Sequence, residues 1–183
     1  MKKNTLAFLF AMTIALAAIA WAGDDPMVGG AAMYPTKNIV QNAVNSQDHT
    51  TLVAAVKAAG LVEVLEGPGP FTVFAPTNEA FAKLPAGTVD TLLKPENKEM
   101  LVKVLTYHVV AGRVSSADLM QQIKAGNGKA ELKTVNGETL TATMSGKHIV
   151  LTDEKGDNSM VTIANVFQSN GVIHVVDTVL LPN

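Results

Sequence analysis

The chain has 183 residues, 48% of them hydrophobic, a formal net charge of −2 at pH 7 with histidine neutral, and no cysteine. The missing cysteines exclude a disulfide framework and thiolate metal sites, so stability has to come from apolar packing. A mildly acidic chain without a basic cluster also lacks the positive footprint that nucleic acid requires. Lys2 and Lys3 precede an uncharged, mostly apolar run from Leu6 to Ala20, which ends in Ala20-Trp21-Ala22. This is the pattern of a secretory signal peptide, with cleavage expected after Ala22. The run is shorter than the roughly 20 apolar residues a spanning helix needs. No Cys follows it to take a lipid, and no second long apolar run occurs. The expected product is soluble, has no membrane span, and is secreted by the general secretory route, to the periplasm or outside the cell.

Residues 23–35 carry Gly23-Asp24-Asp25-Pro26 and Gly29-Gly30-Ala31-Ala32 and read as a flexible linker. Residues 36–183 read as one domain, with no internal repeat. Ile39, Val40, Ala43 and Val44 recur at helical spacing. Asp48 is the expected N-cap of a second helix, with Leu52, Val53, Val56 and Ala59 inward and Gly60 as its stop. Leu61 to Leu65 is a further apolar turn. Phe71 to Ala75 is a strand, apolar on both faces and hence expected to be central. A short helix follows Thr77 and Asn78, and Thr88 is expected to cap another turn. Met100, Leu101, Val104 and Leu105 predict one apolar helix face, with Glu99 and Lys103 paired on the wet side. Ser115-Ser116-Ala117-Asp118 resembles a capping box.

After residue 128 the period changes to two. Glu131 to Val135 and Glu138 to Met144 flank Asn136-Gly137, the signal of a two-residue hairpin. Strands are also expected at His148 to Thr152, Met160 to Phe167 and Val172 to Leu181, separated by turns at Ser145-Gly146, Gly156-Asp157-Asn158 and Asn170-Gly171. Helices first and an antiparallel meander later indicate an α+β fold.

Chemistry is sparse. His49 follows a predicted cap and is expected to be exposed, as is His148. His108 and His174 fall at core positions, where each is either a ligand or base, or a buried neutral imidazole bonded to the backbone. No HxH, HExxH or G-x-S-x-G occurs, and the prolines of Gly67-Pro68-Gly69-Pro70 remove the donors a phosphate loop needs. No catalytic residue, metal site or cofactor is expected.

Three segments carry a family resemblance. Gly69-Pro70-Phe71-Thr72-Val73-Phe74-Ala75-Pro76-Thr77-Asn78-Glu79-Ala80-Phe81 resembles the first box of the fasciclin domain. Leu105 to Val110, containing Tyr107-His108, resembles its central Tyr-His box. Asn170-Gly171-Val172-Ile173-His174 through Pro182 resembles its closing box. The three lie in the family order, over about residues 36–183, in a form similar to secreted bacterial single-domain members. The resemblance implies a compact wedge, a bent antiparallel β-sandwich with several short helices packed on one side. It implies a non-catalytic role in cell adhesion, or in binding a surface or matrix protein or glycan, without a cofactor. It assigns structural roles to Phe71, Phe74, Pro76, Thr77, Asn78, Phe81, Asn170, Gly171 and His174, and partner contact to Tyr107 and His108. An Asp-Ile pair implicated with the Tyr-His box in integrin binding by animal members is missing, since Asn165-Val166 stands there. The alternative function is a carrier of a hydrophobic small molecule, a carotenoid or lipid, suggested by the many aliphatic and Met side chains. A hydrolase using His108 or His174 is the minor alternative.

Overall fold

The computed structural model describes residues 25–183, and the expected signal peptide, residues 1–22, lies outside the described residues. A two-stranded ribbon comes first, β1 (Met27–Val28) against β2 (Ala31–Ala32). Gly29 and Gly30 both have positive φ in its turn, as a tight hairpin of this hand requires. Gly29 also lies against the next turn of chain, where an added Cβ would sit 2.4 Å from Ser46 Oγ. Val28 and Met33 are buried in the core. The described part of the expected linker is therefore packed onto the domain. Its glycines make a turn, and its apolar side chains gain by leaving water.

Asn38 caps α1 (Ile39–Ala43), and the Gln41 side chain bonds back to the Asn38 N–H. A 3-10 turn at Gln47–His49 leads into α2 (Thr50–Ala59), which buries Leu52, Ala55, Val56 and Ala59 and ends at Gly60 with φ 73°. Asp48 lies within the 3-10 turn, so it is not the cap of α2. Next come α3 (Val62–Glu66), β3 (Phe71–Pro76), α4 (Asn78–Ala82), α5 (Thr88–Leu92) and α6 (Lys98–Tyr107). Gly87, not Thr88, stands at the N-cap of α5. Met100 of α6 is 59% exposed, because the buried stripe runs through Leu101, Val104, Leu105 and Tyr107. Lys103, expected to pair with Glu99, instead reaches Glu138 at 3.1 Å.

The remainder is β4 (Val109–Ala111), α7 (Ser116–Ala125), β5 (Lys129–Lys133), β6 (Thr139–Ser145), β7 (His148–Thr152), β8 (Asn158–Gln168) and β9 (Gly171–Val176). Ser115 and Asp118 cap α7 reciprocally, so Asp serves where the box usually has Glu or Gln.

Seven strands form one sheet in the order β4-β3-β9-β8-β7-β6-β5. Strands β5 to β9 are the expected antiparallel meander, but β9 also pairs in parallel with β3, matching Phe74 with His174. The two outer strands nearly meet. Val110 bridges Thr134, and the Val135 N–H donates to the Val109 carbonyl at 2.8 Å. The sheet is thus a bent, nearly closed barrel, an α+β arrangement with the short helices α1 to α6 on one side. This closure explains a second departure from the sequence expectation. The β5–β6 strands end at Lys133–Thr139; beyond them the Thr134 N–H still donates to the Glu138 carbonyl at 2.9 Å, while the Val135 N–H turns to β4. Asn136-Gly137 accordingly sits in a three-residue loop, closed by the Thr134–Glu138 bond, and not in a two-residue hairpin.

Two apolar clusters result. One lies between α1–α6 and the faces of β3 and β9 carrying Val73, Ala75, Ile173 and Val175. The other fills the curl of the sheet under α7, with Phe74, Tyr107, Leu119, Leu140, Leu151 and Val176. Strands β3 and β9 separate the two clusters and are buried on both faces, which is why their sequences are apolar without alternation.

Candidate functional site

The residues of the three signature segments meet at the junction of the two clusters. Thr77 caps α4, its Oγ1 accepting from the Ala80 N–H at 3.2 Å. Asn78 acts across space. Its Oδ1 accepts from the Thr51 N–H at 3.0 Å and the Thr50 hydroxyl at 3.1 Å, and its Nδ2 donates to the Gln47 carbonyl at 2.8 Å. It thereby supplies the N-terminal cap that α2 lacks locally. Phe74, Pro76 and Phe81 are buried and Phe71 is half-buried. Asn170 joins three elements. Its Oδ1 accepts from the Ile39 N–H at 3.0 Å, and its Nδ2 donates to the carbonyls of Leu65 at 2.7 Å and Gly67 at 2.8 Å. Gly171 lies against β3, where a Cβ would come within 2.2 Å of the Phe71 carbonyl oxygen.

Tyr107 and His108 lie in the interior, 0% and 2% exposed. The Tyr107 hydroxyl donates to the Thr139 carbonyl at 3.0 Å, and burial pushes its phenol up to about 12. His108 Nδ1–H donates to the Val104 carbonyl at 2.9 Å, and Nε2 accepts from the Leu180 N–H at 3.1 Å. The ring is neutral, and burial brings its pKa down to about 4. Neither side chain is presented to a partner. The direct-contact role implied by the resemblance does not fit this geometry, because helix periodicity turns both residues off the surface.

His174 has the complementary tautomer. Its Nε2–H donates to the Val114 carbonyl at 2.8 Å, and Nδ1 accepts from the Asn165 N–H at 3.3 Å. Burial lowers its pKa, and the ring stacks on Phe74 with centroids 5.7 Å apart. Asn165 has φ 61° in an irregular stretch of β8, a backbone conformation that Asn tolerates. Its side chain accepts from the Ser116 N–H and donates to the Ser116 hydroxyl. With both ring nitrogens bonded to backbone, neither His108 nor His174 offers a free base.

His49 is the residue the sequence misplaced. It is 3% exposed, not on the surface, and His148 alone of these rings is at the surface. His49 Nδ1 and Ser46 Oγ are 2.9 Å apart. Nε2 has no hydrogen-bond partner. Burial lowers the pKa of the ring, and the nearby Ala75 backbone and the Asp48 charge work in the other direction. The Ser–His contact lacks a third group to orient the base, and both side chains are sealed from solvent. His49, His108 and Ser46 border a cavity of about 80 Å³ between the helices and β3, β4 and β9. Among the described residues, no group of three His, Cys, Asp or Glu is placed to hold a metal ion.

The Fasciclin domain family model matches residues 47–182. The chain is 47% identical over 170 residues to Protein sll1483 of Synechocystis sp., covering 93% of this chain and 87% of that one. It is 34% identical over 205 residues to the immunogenic protein MPT70 of Mycobacterium tuberculosis, covering 98% and 97%. With the transforming growth factor-beta-induced protein ig-h3 of Sus scrofa it shares 36% identity over 148 residues, 81% of this chain but 20% of that protein. Its fold superposes on a FAS1 domain pair of the insect cell adhesion molecule Fasciclin I with a TM-score of 0.70 at 18% identity, covering 80% of this chain and about half (51%) of the other. Signature segments in register, a matching family model and a shared fold lead to one conclusion: the chain belongs to the fasciclin domain family.

Proposed function

We propose that the protein is an exported, non-catalytic adhesion module whose outer surface binds a protein or glycan of the cell envelope or its surroundings. One observation carries this reading: the Tyr, His and Asn side chains of the signature segments spend their hydrogen bonds inside the fold, so recognition falls to the surface. Relatives support the setting. A further family member, 29% identical over 164 residues, is named a cell surface glycolipoprotein of Mycobacterium bovis. Export rests on the signal-peptide pattern of residues 1–22. Among the described residues, no helix is long and apolar enough to cross a membrane.

The test uses the secreted protein. N-terminal mass spectrometry of material from a bacterial host should show cleavage after Ala22. Immobilised protein should bind cell-envelope or matrix components saturably. Tyr107→Phe should bind with unchanged affinity, since its hydroxyl bonds only inside the fold. Absence of saturable binding to both protein and glycan fractions refutes the adhesion reading, and retention of residues 1–22 refutes export by signal cleavage.

A further inference from the structure

Residues 177–183, the segment after β9, run across the seam between the two apolar clusters. Val179 belongs to the cluster beside α1–α6 and Leu180 to the one under α7, and both are buried. The segment starts paired to β8. The Asp177 N–H donates to the Met160 carbonyl at 3.1 Å, and Asp177 Oδ1 accepts from the Met160 N–H at 2.8 Å. Beyond that point four N–H groups go to side chains. Thr178 donates to Ser159 Oγ at 3.2 Å, Leu180 to His108 Nε2 at 3.1 Å, Leu181 to Asp153 Oδ2 at 3.0 Å and Asn183 to Glu138 Oε2 at 3.2 Å. Three of these acceptors, His108, Asp153 and Glu138, are titratable. A ladder of backbone carbonyls is indifferent to pH, whereas an imidazole nitrogen accepts a hydrogen bond only while it carries no proton. Once Nε2 is protonated, two donors face each other at the Leu180 N–H. The ring has no easy escape by turning, because Nδ1 is committed to the Val104 carbonyl.

We propose that residues 177–183 form an acid-released strap: protonation of His108 detaches the segment beyond Asp177 and opens the seam between the clusters while the sheet stays folded. The charged groups around the strap fit this division. Lys83 of α4 lies 3.6 Å from the Asp177 carboxylate and ties down the first residue. The Asp153 charge acts on the His108 ring and favours its protonated form. At the far end, Glu138 and Glu154 accept from Asn183, and Lys103 of α6 reaches both Glu138 and the Asn183 carbonyl. Those last contacts are exposed and hold the end only weakly. The Tyr107 hydroxyl, next to His108 in sequence, is spent on the Thr139 carbonyl and not on the strap. Release frees His108 alone. His49 keeps its contact with Ser46, and His174 keeps Val114 and Asn165. Strap opening thus reads one histidine, and global unfolding reads three.

Native-state hydrogen exchange of the folded protein, followed residue by residue by NMR, tests this. Protection factors remove the intrinsic pH dependence of exchange. At pH 7 the Leu180 and Leu181 amides should be less protected than those of β3 and β9. From pH 7 to pH 5 their protection should fall about twentyfold, the ratio for a ring with a pKa of 6.5 when released and about 4 when bound. Amides of β3 and β9, exchanging through global unfolding, should fall further. His108→Gln offers an oxygen near the position of Nε2 but takes up no proton, and should lose most of the fall at Leu180 and Leu181. Equal protection of strap and sheet at both pH values overturns the proposal, because the strap then leaves only with the whole fold. Lower protection that stays level between pH 7 and pH 5 also overturns it, since His108 is then not the trigger. Should His108→Gln fail to fold, the wild-type comparison decides alone.

Discussion

Acid should destabilise this protein through His108, and His108→Gln should remove a defined part of that sensitivity. The folded ring bonds the Val104 carbonyl and the Leu180 N–H and remains neutral, with its pKa lowered from 6.5 to about 4 by burial. The unfolded ring takes up a proton below about 6.5, so acid favours the unfolded chain. The contribution is intact above that pH, declines as pH falls, and levels off near the folded value of about 4. Between pH 7 and pH 5 the loss is about 2 kcal/mol at ~1.36 kcal/mol per pKa unit. His49 and His174 shift in the same direction and add to the wild-type slope, so the variant is what isolates His108. Urea unfolding at the two pH values measures it. His108→Gln should be less stable at pH 7, having lost ring contacts, yet its drop from pH 7 to pH 5 should be about 2 kcal/mol smaller than wild type. Parallel pH dependences would refute the neutral-ring assignment. Should the variant not fold, an NMR titration of wild-type His108 answers the same question, since the ring should stay largely unprotonated between pH 7 and pH 5.

Three further outcomes follow from side chains with named partners. Asn170→Ala breaks three hydrogen bonds to α1, α3 and the segment after it, and should cost about 3 kcal/mol in urea unfolding. Tyr107→Phe removes the one bond to the Thr139 carbonyl, and should cost about 1 kcal/mol with no change in partner affinity. His174→Leu should melt at a higher temperature than His174→Asp, because a carboxylate beside Phe74 and the Val114 carbonyl is buried without a cation. Equal melting temperatures would contradict the enclosed site.

Local signals were legible where local physics decides the outcome. Ser115 and Asp118 form their cap, Gly60 ends α2, and the period of two after residue 128 becomes β5 to β9. Apolar groups on both faces of Phe71 to Ala75 marked β3 as an interior strand. The parallel pairing of β3 with β9 was not legible, because it joins segments about 100 residues apart in register and leaves no periodic trace in either. Asn136-Gly137 misled for the same reason. The turn chemistry is present, but Val135 is drawn to the Val109 carbonyl of β4, which leaves three residues between the bonded Thr134 and Glu138. Asn78 reads locally as a cap for the helix it begins, whereas its side chain serves α2, 27 residues upstream.

The misplacement of His49 and the reading of residues 23–35 as linker have one physical origin. Asp48-His49-Thr50 is polar and sits at a helix start, which predicts a wet ring as long as nothing covers it. The β1–β2 ribbon docks on this same stretch of chain. The Gly29 carbonyl takes the Gln47 N–H at 3.0 Å, and Gly29 lies so near Ser46 that a side chain there would collide. Val28 and Met33 then close the cavity that His49 borders. A glycine pair scores as flexible only while its contacts are unknown; once it docks, it becomes the one residue type able to approach that closely. The segment that looked least structured is therefore packed on the turn that carries His49, and its Val28 and Met33 line the cavity that His49 borders.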